Sequence, residues 1–368
     1  MRILHIADLH IGKIVNGYSM LEEQSYALDQ VLHMIKEHEV EALIMAGDIY
    51  DTRYPSDESV KLFNDFMTQL IPLNLHIFII SGNHDAGTKL AFANKLLAKQ
   101  NVHIVGDIKD GYNPIVLEDE YGSLNFYLIP FIRPSDVRVQ FEHVSSYDDA
   151  LKAVIDHLSI NENERNILVG HQFFSSGSEV TSDSERLLVG GIEQVSYTHL
   201  IQFDYVALGH LHRSQIVKED HIRYSGSLVK YSLSEVNDQK SVILFDIKEK
   251  GTLHIQKLAL TMKHDFKHVE GMLEEIVALD ATDDYMFVTL NDDYAVDAIV
   301  QLKVKFKNLM NLDFNNARTK ASNQITTISN IEAIPPLTLF NNLYETFHDE
   351  PLSESQIKIV NKIMEGID

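Results

Sequence analysis

Short apolar runs alternate with amphipathic helical patterns over about the first 260 residues of the chain. Each run is followed by a turn residue or a polar residue, which is typical of buried strands. The runs cover residues 2–7, 42–46, 75–80, 167–169 and 205–208. We expect them to form strands of a buried sheet.

Two helical patterns lie between the first three runs. The first follows Ser19 and Glu22, which have the spacing of a capping box, and the second begins at Ser56. Their apolar faces consist of Leu21, Leu28, Val31 and Ile35 in the first, and of Val60, Phe63, Phe66, Met67 and Leu70 in the second. The order strand, helix, strand, helix predicts an α/β fold in which parallel strands are covered by helices on both faces.

Residues 215–260 show a different pattern. Two strand runs, at 241–247 and 253–260, are separated by the turn pair Lys250-Gly251. Adjacent strand runs joined by a short turn predict antiparallel pairing. We expect these strands to extend the same sheet layer.

A small α+β unit is predicted over residues 263–335. It has strand patterns near 266–270 and 285–290, a short helix after Gly271, and a helical pattern over 295–306. The doubled proline Pro335-Pro336 then breaks any preceding element. The predicted domains are therefore 1–262, 263–335 and 336–368.

The last of these segments carries two helical stripes. Their apolar residues are Leu337, Phe340, Tyr344 and Phe347, followed after Pro351 by Ile357, Val360, Ile363, Met364 and Ile367. On apolar content alone, a helical pair that folds back on its own domain is the simpler interpretation. A docking element for a partner is the alternative.

Polar clusters stand directly after the apolar runs. They are Asp8-Leu9-His10, Gly47-Asp48, Gly82-Asn83-His84-Asp85, Gly170-His171 and Gly209-His210-Leu211-His212. In parallel α/β sheets, ligands bind outside the carboxyl ends of the strands, where these clusters lie. We therefore expect distant parts of the chain to meet in one site.

Asp, Asn and His are side chains that ligate divalent cations, so the clusters together predict a metal site. Asp48 suits a carboxylate that bridges two cations, with one oxygen facing each, and His84 next to Asp85 suggests an imidazole held by a carboxylate. Each cluster alone is weak, because Gly-Asp is usually a turn, Asp85 could cap a helix at 87–98, and a lone His171 is an ordinary histidine by default. Their joint presence in order carries the prediction.

Composition limits the classes of protein that fit. The chain has no apolar stretch near the roughly 20 residues of a membrane span, and Met1-Arg2-Ile3 leads directly into a strand pattern rather than a signal peptide. It has no Cys, which excludes thiolate metal sites and disulfides. We expect a cytoplasmic protein that is associated with no membrane.

The net charge of −23 argues against a broad basic surface for nucleic acid. It does not exclude a phosphate substrate, since bound cations and a few local basic residues can reverse the sign at a pocket. Lys13 and Arg53 follow site motifs closely and are candidates for substrate contacts. Arg133 is a weaker candidate, for which ordinary surface charge is the preferred interpretation.

The order D-x-H, G-D, G-N-H-D, G-H, G-H-x-H resembles that of the calcineurin-like metallophosphoesterases. That resemblance implies a four-layer fold of two packed mixed sheets flanked by helices, with a dinuclear metal centre. Residues 8–13, 21–24 and 46–51 are similar to those of the bacterial break-repair nucleases of this family. These act with a coiled-coil ATPase partner, so the resemblance favours a small capping domain at 263–335 and the docking interpretation of the C-terminal helices.

By the same resemblance, one cation is held by Asp8, His10, Asp48 and His212, and the other by Asp48, Asn83, His171 and His210. Mn²⁺ is the implied ion, with Mg²⁺ possible as well. His84 matches a histidine that binds no metal and is needed for cleavage, and Asp85 matches the neighbour that orients it. Archaeal and eukaryotic relatives have a His where this chain has Asp51, so the resemblance assigns no role to that residue.

The implied activity is two-metal hydrolysis of phosphodiesters in double-stranded DNA, DNA ends and hairpins, by a homodimer. A phosphatase that acts on small phosphoesters is the main alternative, because the same site core serves both chemistries. A non-catalytic scaffold is a third, which the complete ligand set disfavours. The segments after residue 262 favour the nuclease, since a small substrate gives them no evident purpose.

Overall fold

The computed structural model describes residues 1–185, 193–292 and 295–315, together with 344, 352–353 and 356–357. By packing, residues 1–314 form one compact unit and residues 315–368 form a second. Within the described residues, no helix combines the length and the apolar character that a membrane span requires.

The described strands are, in chain order, β1 (Arg2–Ile6), β2 (Ile14–Val15), β3 (Tyr18–Ser19), β4 (Ala42–Ala46), β5 (His76–Ile80), β6 (Val102–Val105), β7 (Ile115–Asp119), β8 (Gly122–Ile129), β9 (Arg165–His171), β10 (Phe173–Ser175), β11 (Gln194–Ser196), β12 (Tyr205–Gly209), β13 (Gln215–Val217), β14 (Glu219–Tyr224), β15 (Ser241–Ile247), β16 (Leu253–Ala259), β17 (Phe266–Gly271), β18 (Tyr285–Leu290) and β19 (Leu309–Phe314). The α-helices are α1 (Leu21–Glu37), α2 (Asp57–Leu70), α3 (Gly87–Leu90), α4 (Asn94–Leu97), α5 (Pro134–Arg138), α6 (Tyr147–His157), α7 (Leu273–Ala278) and α8 (Ala298–Lys305). All five predicted apolar runs form strands.

Two six-stranded mixed sheets form the main body. The first has the order β16-β15-β1-β4-β5-β6, in which β1, β4, β5 and β6 run parallel to one another. β15 runs antiparallel to β1, and β16 runs antiparallel to β15. The second has the order β13-β14-β12-β9-β8-β7, in which β14, β12, β9 and β8 run parallel. The antiparallel hairpin predicted around Lys250-Gly251 is confirmed as β15 and β16, which extend the first sheet.

The two sheets pack face to face over a shared apolar core. Phe78 of the first sheet stacks on Phe126 of the second with ring centroids 4.0 Å apart, and Tyr205 of the second stacks on Phe245 of the first at 3.8 Å. The outer face of the first sheet packs against α1 and α2, and that of the second against α5 and α6. The result is the four-layer α/β sandwich that the family resemblance implied. The expectation of helices on both faces of the parallel strands is wrong, because the inner face of each sheet packs against the other sheet.

Helix starts show where local signals hold and where they fail. Ser56 caps α2 as predicted, because its side chain accepts the backbone N–H of Ser59. The capping box predicted at Ser19 and Glu22 is wrong. Ser19 belongs instead to the β2–β3 hairpin, where it pairs with Ile14, so α1 begins at Leu21 without a side-chain cap.

Residues 266–314 form a small three-stranded parallel sheet, β17-β18-β19, with α7 and α8. One face has its own core, which includes Val288 and Leu302, and the other joins the main core through Phe266 and Phe287. The strands at 266–270 and 285–290 are present as predicted, whereas β19 was not predicted and the helix predicted over 295–306 covers only Ala298–Lys305. The domain boundary at residue 262 stays a prediction.

The predicted helical pair at 337–367 lies largely outside the described residues. Of this segment, residues 344, 352–353 and 356–357 are described, and Gln356 Nε2 donates a 3.0 Å hydrogen bond to the hydroxyl of Tyr344. Its docking role stays a prediction.

Candidate metal centre

All five polar clusters lie at one end of the two sheets, at the last residues of β9 and β12 or on the loops that follow β1, β4, β5 and β12. Backbone hydrogen bonds join the first two loops, since Asp8 N–H donates to Gly47 O at 3.1 Å and His10 N–H donates to Asp48 O at 2.9 Å. Within each sheet the carboxyl ends of the parallel strands share an edge, and the packing of the two sheets brings these edges together, as the contacts of His10 with His212 and of Asn83 with His171 show. Four candidate ligands therefore come from the first sheet and three from the second.

The loops hold their side chains by an unusual backbone. Asp8, His10, Asp48 and His210 have φ angles of 53°, 45°, 50° and 112°. Non-glycine residues rarely adopt positive φ, and where they do so the surrounding structure must hold them. Strain concentrated at these four positions is typical of a functional site.

Asp8, His10 and His212 form the first candidate group, with all three side chains buried. The Nε2 atoms of His10 and His212 are 3.0 Å apart, and Asp8 Oδ2 has no hydrogen-bond partner among the described residues. A cation would satisfy these three atoms, because it would bind the two facing imidazole nitrogens and the buried carboxylate oxygen that has no other partner. This group fits one divalent cation.

Asn83, His171 and His210 form the second group. Asn83 Oδ1 lies 3.1 Å from His171 Nε2 and 3.2 Å from His210 Nδ1. His171 Nδ1 donates to the carbonyl of Ala46 at 2.7 Å, so Nε2 is the ring atom that would face a metal after losing its proton. This second group also fits a cation.

Asp48 lies between the two groups. Its Oδ2 is 3.5 Å from His10 Nε2 and 3.4 Å from His171 Nε2, whereas its Oδ1 accepts the backbone N–H of His84 at 2.9 Å. The expectation that each oxygen would face a separate cation is therefore wrong in detail. The single oxygen Oδ2 faces both groups, because the 83–85 loop occupies the other.

Burial and charge attraction together shift the pKa values of the candidate ligands. Burial raises the pKa of Asp8 well above its usual value, and it lowers the pKa of His10 to about 4 and of His210 to about 3. Burial also acts on Asp48 and His171, but their mutual attraction outweighs it, so the pKa of Asp48 is held well below its usual value and that of His171 rises to about 9. Asp48 and His171 thus form a buried pair of opposite charge.

His84 is close to the first group, with its ring centroid 4.7 Å from that of His10. Its Nδ1 donates to the backbone oxygen of Asp51 at 2.7 Å. The expectation that Asp85 orients this ring is wrong, because its carboxylate accepts the backbone N–H groups of Ile49, Tyr50 and Gly82. The role of Asp85 is to fix the loops that carry Asp48 and Asn83.

The two candidate substrate contacts differ in their surroundings. Lys13 Nζ is paired with Asp51 Oδ1 at 2.9 Å and is mostly buried. Arg53 is exposed and lines a cavity of about 560 Å³ beside the centre, together with Lys89, Lys109 and Arg133. Phe131 also lines this cavity and stacks on His210 with centroids 6.2 Å apart. Arg53 is thus the better placed of the two for a substrate.

Sequence reasoning missed a group of residues behind His212. Glu185 accepts the backbone N–H of His212 at 2.6 Å, and Ser184 Oγ lies 2.6 Å from His212 Nδ1. Glu235 and Lys240 are buried next to them. No strand end or ligand spacing marks these positions, and only their tertiary contacts show them.

Comparison with known proteins gives concordant results. Residues 1–214 match the family model described as calcineurin-like phosphoesterase. The SbcD component of the nuclease SbcCD from Staphylococcus epidermidis is 32% identical over 378 residues, which cover 100% of this chain and 99% of the relative. Its namesake from Staphylococcus saprophyticus subsp. saprophyticus is 30% identical over 383 residues, covering 100% and 98%.

A solved structure of a dimetal phosphatase from Danio rerio is 13% identical and covers 72% of this chain and 99% of its own, with a TM-score of 0.43. That likeness is too distant to bear on the activity.

Proposed function

The chain belongs to the calcineurin-like phosphoesterases and, within them, to the SbcD nucleases, and from this we propose that it is a metal-dependent DNA nuclease. The proposed activities are 3′–5′ exonuclease cleavage of double-stranded DNA and endonuclease cleavage of single strands and hairpins. They would depend on ATP through an SbcC-type coiled-coil ATPase. The processes served would be DNA repair, recombination and replication.

The observation that carries the proposal is the position of Asp48 Oδ2 between two imidazole groups. Asp8, His10 and His212 would hold one divalent cation, Asn83, His171 and His210 the other, and Asp48 would contact both. Mn²⁺ is the proposed ion and Mg²⁺ a substitute. These residues would thereby supply Lewis-acid chemistry, which would lower the pKa of an attacking water and offset the charge of the transition state at the scissile phosphate.

His84 is the proposed proton carrier. A carbonyl oxygen only accepts, so the contact with Asp51 O fixes the proton of His84 on Nδ1 and leaves Nε2 to exchange a proton with the departing sugar oxygen. Burial lowers the pKa of His84 from its usual value, so Nε2 would take up a proton from solvent as the anionic phosphate binds and would then give it to the departing sugar oxygen. Arg53 would contact the DNA backbone from the adjoining cavity.

The proposed partners follow from charge and from exposed apolar surface. With a net charge of −23, much of the DNA affinity would come from the ATPase. A homodimer is supported by an apolar groove of about 520 Å³ that includes Val60, Met67 and Phe92, the last of which is 80% exposed. A cytoplasmic location near the nucleoid is part of the same proposal.

One experiment separates the nuclease from its main alternative. The purified chain, with and without the ATPase, is incubated with end-labelled duplex DNA and with a small aryl phosphomonoester, in Mn²⁺ and in Mg²⁺. We expect cleavage of DNA that increases with the ATPase and ATP, and loss of all turnover in Asp48→Asn. Turnover of the monoester alone would identify a phosphatase instead, and no turnover of either substrate with cations bound would favour a scaffold.

A further inference from the structure

Glu235 and Lys240 form a buried ion pair behind His212. Glu235 Oε2 lies 2.6 Å from Lys240 Nζ, and the two residues are 0% and 3% exposed. Lys240 also donates to the carbonyl oxygen of His212 at 3.0 Å. A buried pair of this kind persists only when further hydrogen bonds satisfy it, and here those bonds lead to a candidate ligand.

Ser184 links the same pair to the ring of His212. His212 Nδ1 and Ser184 Oγ are 2.6 Å apart, and Ser184 Oγ donates to Glu235 Oε1 at 2.6 Å. Since the hydroxyl proton is given to the carboxylate, His212 Nδ1 must itself donate to Ser184, which leaves Nε2 as the metal-facing atom. Ser182 and Ser232 donate to the same Glu235 oxygen at 3.0 Å each.

His10, the other imidazole of that group, has a related arrangement. Asp51 Oδ1 lies 3.4 Å from His10 Nδ1 and 2.9 Å from Lys13 Nζ. His212 is thus linked by hydrogen bonds through Ser184 to a carboxylate that a lysine neutralises. His10 Nδ1, which has no hydrogen-bond partner among the described residues, lies beside a second such carboxylate. In the second group, His171 Nδ1 instead donates to the neutral carbonyl of Ala46, and the carboxylate oxygen 3.9 Å from that atom belongs to Asp8, itself a candidate ligand.

We propose that Glu235, through Ser184, and Asp51 are positioning residues that make the cation position of Asp8, His10 and His212 the tighter of the two. A carboxylate behind a histidine fixes the ring and increases the basicity of its metal-facing nitrogen. The paired lysines cancel the added charge, so the effect acts through the two imidazoles. A limiting supply of cation then fills this position first. The inference rests on the dinuclear centre of the proposed function.

The test is a titration of the full-length, chelator-stripped chain with Mn²⁺, followed by the electron paramagnetic resonance of free Mn²⁺ and by calorimetry. We expect two classes of binding, of which His212→Ala removes the tighter and His171→Ala the weaker. Ser184→Ala, Glu235→Gln and Asp51→Asn should each weaken the tighter class by about 10- to 100-fold and leave the weaker class unchanged. Ser184→Thr, which keeps the hydroxyl, should restore the wild-type affinity.

Glu179→Gln is the matched control. This carboxylate lies in the same loop as Ser184, but it accepts hydrogen bonds from Ser175 and Ser176 instead. It should change neither class. If Glu235→Gln fails to fold, Ser184→Ala decides, since it leaves the buried ion pair intact. Unchanged affinity in Ser184→Ala, or loss of the weaker class in His212→Ala, would overturn the inference. No binding of Mn²⁺ by the wild-type chain would overturn the proposed function as well.

Discussion

The backbone oxygen of Asp51 accepts a 2.7 Å hydrogen bond from Nδ1 of His84. The same residue places its side-chain oxygen 3.4 Å from Nδ1 of His10. Asp51 therefore holds one imidazole by a main-chain hydrogen bond and places its carboxylate beside a second. The first is the proposed proton carrier and the second is a candidate ligand, so a single residue adjoins both groups.

Removal of the His84 ring should separate chemistry from metal binding. We expect His84→Ala to bind Mn²⁺ like the wild-type chain, because no ligand is lost, and to cleave DNA about 100- to 10,000-fold more slowly, the usual contribution of a positioned acid or base. Calorimetry and single-turnover cleavage of labelled duplex measure the two properties. Cleavage near the wild-type rate would remove His84 from the mechanism.

Gly47 is expected to tolerate no side chain. Its φ is +87°, and a Cβ there would lie 2.3 Å from Nδ1 of His171. Gly122 has a similar φ of +90° but nothing within 4 Å, so Gly122→Ala should cost only about 1–2 kcal/mol of unfolding free energy for the backbone. Gly47→Ala should cost more and also weaken Mn²⁺ binding. Equal losses of unfolding free energy in the two variants, measured with denaturant, would show that the loop moves to make room for the new Cβ beside His171.

Cation binding should release protons. His171, whose pKa is raised to about 9 chiefly by the Asp48 carboxylate against the opposing effect of burial, is protonated at pH 7.5 and must lose that proton to bind a metal. Affinity for Mn²⁺ should therefore rise with pH up to about 9. Titration calorimetry in two buffers with different ionisation enthalpies should give a release of at least one proton per chain. Identical binding heats in the two buffers would contradict this.

His5 should make stability depend on pH apart from the metal. It lies between the sheets, where its ring contacts Tyr205 and Leu208, and burial lowers its pKa to about 3. Between pH 6.5 and 3 only the unfolded chain binds the proton, so His5 reduces stability as the pH falls, by up to about 1.4 kcal/mol per unit.

Denaturant unfolding in a chelating buffer, from pH 7.5 to 5.5, measures the effect of His5. His5→Gln should lose less stability than the wild-type chain over this range, whereas His33→Gln, at an exposed position, should retain the wild-type slope. If stability falls equally with pH in the wild-type chain and in His5→Gln, the folded chain protonates His5 as readily as the unfolded chain does.

Much of the fold and of the gathering of polar clusters could be predicted, because the carboxyl ends of parallel strands in one sheet share an edge. The division of the clusters between two packed sheets did not follow from the strand and helix pattern, which does not show what covers the inner face of a sheet. Ser56 was predictable as a cap since its signal is local. Ser19 was not, because pairing with Ile14 in a hairpin overrides the capping signal. Tertiary pairing likewise determines that residues 309–314 form the strand β19, because they pair in parallel with β18.

The side-chain partners within the site were harder to predict. Adjacent residues in a loop can point to different neighbours, and for that reason Asp85 contacts the backbone at Ile49 rather than the ring of His84. Glu235 lies 23 residues beyond the last ligand, at a distance that no motif spans. The ion pair with Lys240 and the link through Ser184 depend on folding, so they could be found only in three dimensions.

The seven candidate ligands are divided between the two sheets, with Asp8, His10, Asp48 and Asn83 on loops of the first and His171, His210 and His212 on the second. Cations held by both would fasten the halves of the sandwich together, and their binding energy would add to the free energy of unfolding. A cell short of the metal would then lose the protein as well as its turnover, because the open form is the one that proteases degrade. Abundance of the enzyme would follow the supply of its ion.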